Sequence, residues 1–258
     1  LQAGAFKDEF LISRAKADVL WKYLAKHGSS TETGQVLVKL SKSITKDASL
    51  DNLALPLADR IQYLSMAVAT LKANSVPTGE AEDTLEVALL QLDLLNSIPH
   101  PDWTVQVGLH ARLFSLTTLF LEFSEPLGLP SISLQIIHLA GHPDPVLVAR
   151  LWQRLLNPQE PDLTLIPGRL EALAAKIYPS DEVAMPLGYL VDMLALVAFK
   201  SSEPETERMV QWFRQTWSST VVPWARVQKE LESLRSRPSS FWSASPDRKS
   251  FIGKLLLN

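Results

Sequence analysis

Apolar residues recur along this chain at steps of three and four, the spacing that lines one face of an α-helix. Leu57, Ile61, Leu64, Val68 and Leu71 form one such stripe. Alternating runs of the kind a half-buried strand needs are short and isolated. Prolines punctuate the stripes: there are 17 in 258 residues, mostly between apolar runs, where a fixed φ and a missing N–H stop one helix or open the next. The pattern predicts helices at 6–27, 33–46, 55–74, 80–97, 103–121, 131–140, 145–157, 167–178, 186–200, 204–219, 223–236 and 246–257.

Capping chemistry marks several starts. Asp144 precedes Pro145, Ser245 precedes Pro246, and Ser202 stands three residues before Glu205, each offering an acceptor to orphan N–H groups. Short turns such as 141–144 and 201–203 predict antiparallel packing of sequential helices. The longer connections are Lys72–Gly79, Asn157–Pro167 and Ser236–Asp247, and Phe241 and Trp242 predict that the last of these packs down. No strict internal repeat is visible. The expectation is therefore an all-α protein, an irregular α-solenoid of about twelve antiparallel helices in which each pair buries its stripe against the next. A single such segment is expected over residues 1–258. The chain opens at Leu1 without a Met or a basic-then-apolar leader, which reads as a piece of a longer protein.

Composition narrows the function classes. Apolar residues make up 46% of the chain, with 25 Lys and Arg against 28 Asp and Glu and a net charge of −3. That is ordinary globular material, too apolar for disorder. Asp192 interrupts the greasiest run, 183–199, so no membrane span and no direct membrane insertion are expected. The absence of cysteine removes disulfides, thiolate metal sites and cysteine nucleophiles, and makes a reducing intracellular compartment the default. Residues 51–223 carry 10 basic and 20 acidic side chains, a field that repels phosphate and argues against a nucleic-acid partner.

Catalytic patterns are missing. There is no phosphate-binding glycine loop, no nucleophile elbow and no zinc-binding helix motif. His138 and His142 have metal-like spacing, but Gly141 lies between them and Pro143 follows, so they straddle a helix end instead of sharing one rigid face. Glu80, Glu82 and Asp83, like Glu203, Glu205 and Glu207, fall in the first turn of a predicted helix, where they complement its dipole. No catalytic, cofactor or metal site is expected, and the chain reads as a non-enzyme. The serine-rich Ser236–Ser245 stretch offers hydroxyls for phosphorylation on composition alone.

What remains is recognition. In the helix at 186–200, Leu187, Leu190, Val191, Leu194 and Val197 form one stripe, and Tyr189, Met193 and Leu196 form a second on another face. The next helix adds Met209, Trp212, Phe213 and Trp217. Two apolar faces need two partners. Either both helices lie deep in the stack, or Tyr189, Met193, Leu196, Met209, Trp212, Phe213 and Trp217 line a groove for an apolar anchor of a linear peptide.

Several strings resemble a known family. They are LWKYLAKHGSSTETGQVLVKL at 20–40, ADRIQYLSMAVATL at 58–71, FLEFSEP at 120–126 and IIHLAGHPDPVLVARLWQRLL at 136–156, followed by MPLGYLV at 185–191 and VPWARVQKEL at 222–231. They resemble the C-terminal α-solenoid region of the large inner-ring scaffold nucleoporins, the non-repetitive family with an N-terminal β-propeller. Agreement is poor at 46–55 and 73–84. The resemblance implies a scaffold of the nuclear pore complex at the nuclear envelope. It also implies other scaffold nucleoporins as partners, together with short linear segments of a flexible linker nucleoporin carrying Gly-Leu-Phe-Gly repeats. A helical-repeat adaptor of a vesicle coat or regulatory complex shares the architecture and stands as the alternative.

Overall fold

A computed structural model describes residues 19, 21–23, 26, 29–42, 55–98, 103–142, 144–179, 183–201, 206–237 and 241–257. Among them there is no strand, and the all-α expectation holds. The helices are α1 (Ser30–Ser41), α2 (Leu57–Ala73), α3 (Gly79–Ser97), α4 (Trp103–Ala111), α5 (Leu116–Thr118, running into a π-helical turn at Leu119–Ser124), α6 (Pro130–Ala140), α7 (Pro145–Leu156), α8 (Leu165–Ile177), α9 (Leu187–Lys200), α10 (Thr206–Ser218), α11 (Trp224–Ser236) and α12 (Pro246–Leu256), with a short 3₁₀ turn at Phe241–Ser243. The helix predicted at 6–27 falls almost wholly outside the described residues, as does the Ser202 capping box. The chain divides into two units, Leu1–Ile132 and Ser133–Asn258.

In the first unit α2 packs on α1, α3 and α4. Its Leu57, Leu64 and Ala67 are wholly buried, and the stripe read from sequence continues to Leu71. Gly34 of α1 lets the α1 and α2 backbones close up, because a Cβ there would stand 2.6 Å from the Leu71 side chain. Arg60 fastens the helix ends. Its guanidinium donates to the carbonyl oxygens of Ser41 (2.6 Å), Ala111 (2.7 Å) and Leu55 (3.0 Å). Ser41 and Ala111 are the last residues of α1 and α4, where the helix dipole is negative and a cation is favoured. Burial lowers the guanidinium to about 10.

The single helix expected at 103–121 is two. Its break comes from Gln91 on α3, whose amide nitrogen donates to the carbonyls of Leu109 (2.6 Å) and Arg112 (2.8 Å) while its oxygen accepts from Phe114 N–H at 2.9 Å. These bonds satisfy backbone groups that continued helix would otherwise pair. Ser115 then caps the new start, accepting from Thr118 N–H at 3.2 Å.

In the second unit α8 packs on α7 and α10, α9 on α10, α11 and α12, and α11 on α12. That is the nearest-neighbour logic of a helical solenoid. Asp144 accepts from Val146 and Leu147 N–H at the head of α7, and Gly141 takes the left-handed conformation, φ 65°, after α6. Trp152 on α7 is fully buried and donates its indole N–H to Ala184 O at 2.8 Å.

Candidate functional site

The seven residues expected to line a groove on α9 and α10 are divided by the structure. Phe213 and Trp217 are fully buried, Met209 and Met193 are 5% and 8% exposed, and only Tyr189, Leu196 and Trp212 are half-buried. The physical reason is that α10 is sandwiched: α8, α9 and α12 all pack against it, and Phe213 stacks at a tilt on Trp217 with ring centroids 6.4 Å apart. The aromatic stripe is therefore mostly core, and Met193, Met209, Phe213 and Trp217 offer little surface to a peptide. Trp212 is itself engaged, its indole N–H donating to Leu163 O at 2.8 Å and holding the 157–165 connection.

A better concavity lies in the first unit. Val87 of α3 and Leu113, Phe114 and Leu116 before and at the head of α5 line a cleft of about 410 Å³, with Lys42 and Asp83 among its other walls. The lining is mainly apolar, which suits one or two side chains of an extended segment. Its Phe114 wall is rigid. The ring meets Phe123 edge-on at 5.3 Å, the Arg112 guanidinium covers it at 4.4 Å, and Gln91 fixes its backbone. Lys42 forms an ion pair with Glu80 at 2.7 Å, which keeps the Glu80 carboxyl below the ordinary carboxylate range. Asp83 is exposed on the same helix face.

Sequence periodicity missed this cleft because its walls come from three separate stretches and one of them is the unforeseen break at 112–115. FLEFSEP, already conspicuous in the sequence, lies next to it and contributes Phe123 behind the Phe114 wall.

Among the described residues no three His, Asp or Glu side chains stand together as metal ligands would, and no helix is long and apolar enough to cross a membrane. Burial holds the His110 imidazole below its ordinary value, and its Nδ1 is buried without a hydrogen-bond partner.

Comparison with known proteins identifies a family. Residues 3–256 match the family described as non-repetitive/WGA-negative nucleoporin C-terminal. Nuclear pore complex protein Nup154 of Drosophila melanogaster is 23% identical over 280 aligned positions, which cover 92% of this chain and 20% of that protein. Nucleoporin NUP170 of Chaetomium thermophilum is 24% identical over 209, covering 72% of this chain and 14% of that protein. This chain therefore spans a fifth or less of the length of either relative. The crystal structure of the Chaetomium thermophilum Nup170 CTD-Nup145N complex superposes with a TM-score of 0.72 at 19% identity, covering 95% of this chain and 54% of that one. With this fold and a match along nearly its whole length, the chain belongs to the non-repetitive/WGA-negative nucleoporin C-terminal family, proteins of the nuclear pore complex.

Proposed function

We propose that this chain is a scaffold segment of the nuclear pore inner ring that docks a linear segment of a flexible linker nucleoporin, the kind that carries Gly-Leu-Phe-Gly repeats, without catalysing a reaction. The reading rests chiefly on the rigid apolar cleft beside Phe114. It is large enough for an anchor side chain, and its walls are fixed before anything binds, which lowers the ordering cost of docking a flexible segment. A related protein of the same fold was crystallised as the Nup170 CTD-Nup145N complex, which makes a nucleoporin partner the natural choice.

Binding would proceed by insertion of an apolar side chain between Val87 and Leu116 onto the Phe114 wall. The half-buried ledge of Tyr189, Leu196 and Trp212 is the second place an anchor could reach, and Met193, Met209, Phe213 and Trp217 shape it from below. The vesicle-coat adaptor has no feature here that favours it. Co-elution of the purified chain with the unstructured region of a linker nucleoporin on size exclusion is the expected result. Separate elution at tens of micromolar would overturn the reading, and co-elution with a coat segment instead would revive the adaptor.

A further inference from the structure

Ser245 precedes Pro246 in the one Ser-Pro or Thr-Pro dipeptide of the sequence, and Arg248 and Lys249 follow at the third and fourth places beyond it. A proline-directed serine/threonine kinase reads such a string. Proline after the acceptor brings no N–H needing a partner in the kinase cleft, and a basic side chain further on meets acidic groups of the enzyme. We propose that Ser245 is a phosphorylation site for such a kinase, and that its phosphate draws Arg248 away from Phe241.

The segment is placed for access. Trp242 is 1% exposed and Phe251 is 3% exposed, but residues 243–250 between them contain no buried side chain. Fully extended, eight residues reach about 26 Å, so this ribbon can lie through a kinase cleft while both aromatic anchors stay in the core. The first turn of α12 can open for the same reason: its buried residues, Phe251, Ile252 and Leu255, all lie beyond it. Ser245 is already extended, at φ −144° and ψ 152°. Its Oγ accepts from Arg248 N–H at 3.3 Å, and among the described residues its hydroxyl donates to none.

In the transfer, Ser245 Oγ bonds to the γ-phosphorus of ATP as the bond from that phosphorus to the β,γ-bridging oxygen breaks. ADP leaves, and the hydroxyl proton passes to the kinase's catalytic carboxylate. The product carries a charge of about −1.5 to −2 at neutral pH. Arg248 is close by, its Nη1 donating to Phe241 O at 3.2 Å and its guanidinium lying 3.8 Å from the Phe241 ring centroid. A phosphate offers that guanidinium a two-point, charge-assisted partner in place of a neutral carbonyl and an exposed ring. Lys249 adds to the attraction and Asp247 opposes it. Phe241, already 41% exposed, then loses its cover.

The test uses a proline-directed kinase with this basic preference, Mg-ATP, the intact chain, a peptide of residues 240–252, and the Ser245→Ala and Arg248→Ala chains. Intact mass and peptide mapping should show one phosphate on Ser245 of the intact chain and none in Ser245→Ala at that segment. In ³¹P NMR the phosphoserine of the intact chain should titrate below that of the phosphopeptide, and Arg248→Ala, loaded with excess kinase, should remove the difference. An unmodified peptide, an unmodified intact chain beside a modified peptide, or equal labelling of Ser245→Ala would overturn the site. A phosphate that titrates alike in chain and peptide would overturn the role of Arg248.

Discussion

The indole N–H of Trp242 donates to Oδ1 of Asp192 at 2.6 Å, and the pair explains two oddities at once. An acid sits in the greasiest described helix because it receives that N–H, and the turn Phe241–Ser243 packs down because Trp242 is held there. Phe199 completes the arrangement with edge-on contacts to Phe241, Trp242 and Phe251, at centroid distances of 6.1, 5.9 and 5.3 Å. Trp242→Phe keeps an aromatic ring and removes the donor. Hydrogen bonds to charged groups contribute about 1.5–3 kcal/mol, and a loss of that order should appear as a lower urea midpoint. An unchanged midpoint would mean that the pair does not hold the connection.

Arg60 provides a sharper case in the first unit. One fully buried cation satisfies carbonyls from the ends of α1 and α4 and from the turn before α2. Arg60→Met leaves all three acceptors in the core without that donor and should cost about 3–5 kcal/mol by chemical denaturation. Arg60→Lys should recover only part, because a single ammonium cannot span the fork. Equal stability of the Met variant would contradict this assignment.

Gly34 gives the opposite kind of prediction, a small residue that cannot grow. Alanine gains about 1 kcal/mol of helix propensity, but its Cβ would sit 2.6 Å from Cγ and Cδ2 of Leu71. Overpacking of that kind costs about 1–3 kcal/mol, and Leu71 cannot simply swing its tip away, since Cγ itself is in the way. Gly34→Ala should therefore lower the melting temperature. A rise would show that α1 and α2 have room to part.

His110 sets a pH dependence. Burial holds its folded-state pKa below the unfolded value of about 6.5, so protonation favours the unfolded chain. Its contribution is complete above about pH 6.5 and is lost as pH falls through that value towards the lower folded pKa. The melting temperature should drop between pH 7.5 and 5.5, and less so in His110→Leu. An equal drop in both chains would put the dependence elsewhere.

The helices were legible because their boundaries are local chemistry. Asp144 and Pro145 open α7, Ser245 and Pro246 open α12, and Gly141 closes α6, each where the residue types alone require it. The break between α4 and α5 was not legible, because no proline or glycine makes it. It is made by Gln91, more than 20 residues away in sequence, reaching across to replace helical hydrogen bonds. The same distinction applies to the candidate site. Periodicity correctly found two apolar faces on α9 and an aromatic face on α10, but it cannot say what covers them. Packing from α8, α9 and α12 turns Phe213 and Trp217 into core. The cleft beside Phe114 is formed by tertiary assembly, and no single stretch of sequence contains it.

The most direct test of the docking claim is calorimetric titration of the chain with overlapping peptides that tile the unstructured region of a linker nucleoporin, repeated with Leu116→Glu and Trp212→Ala. The account predicts saturable binding by at least one peptide, weakened about tenfold or more by Leu116→Glu, a change of 1.4 kcal/mol, and little altered by Trp212→Ala. Binding untouched by Leu116→Glu would contradict the cleft, and the absence of binding by every peptide would contradict docking by this segment altogether.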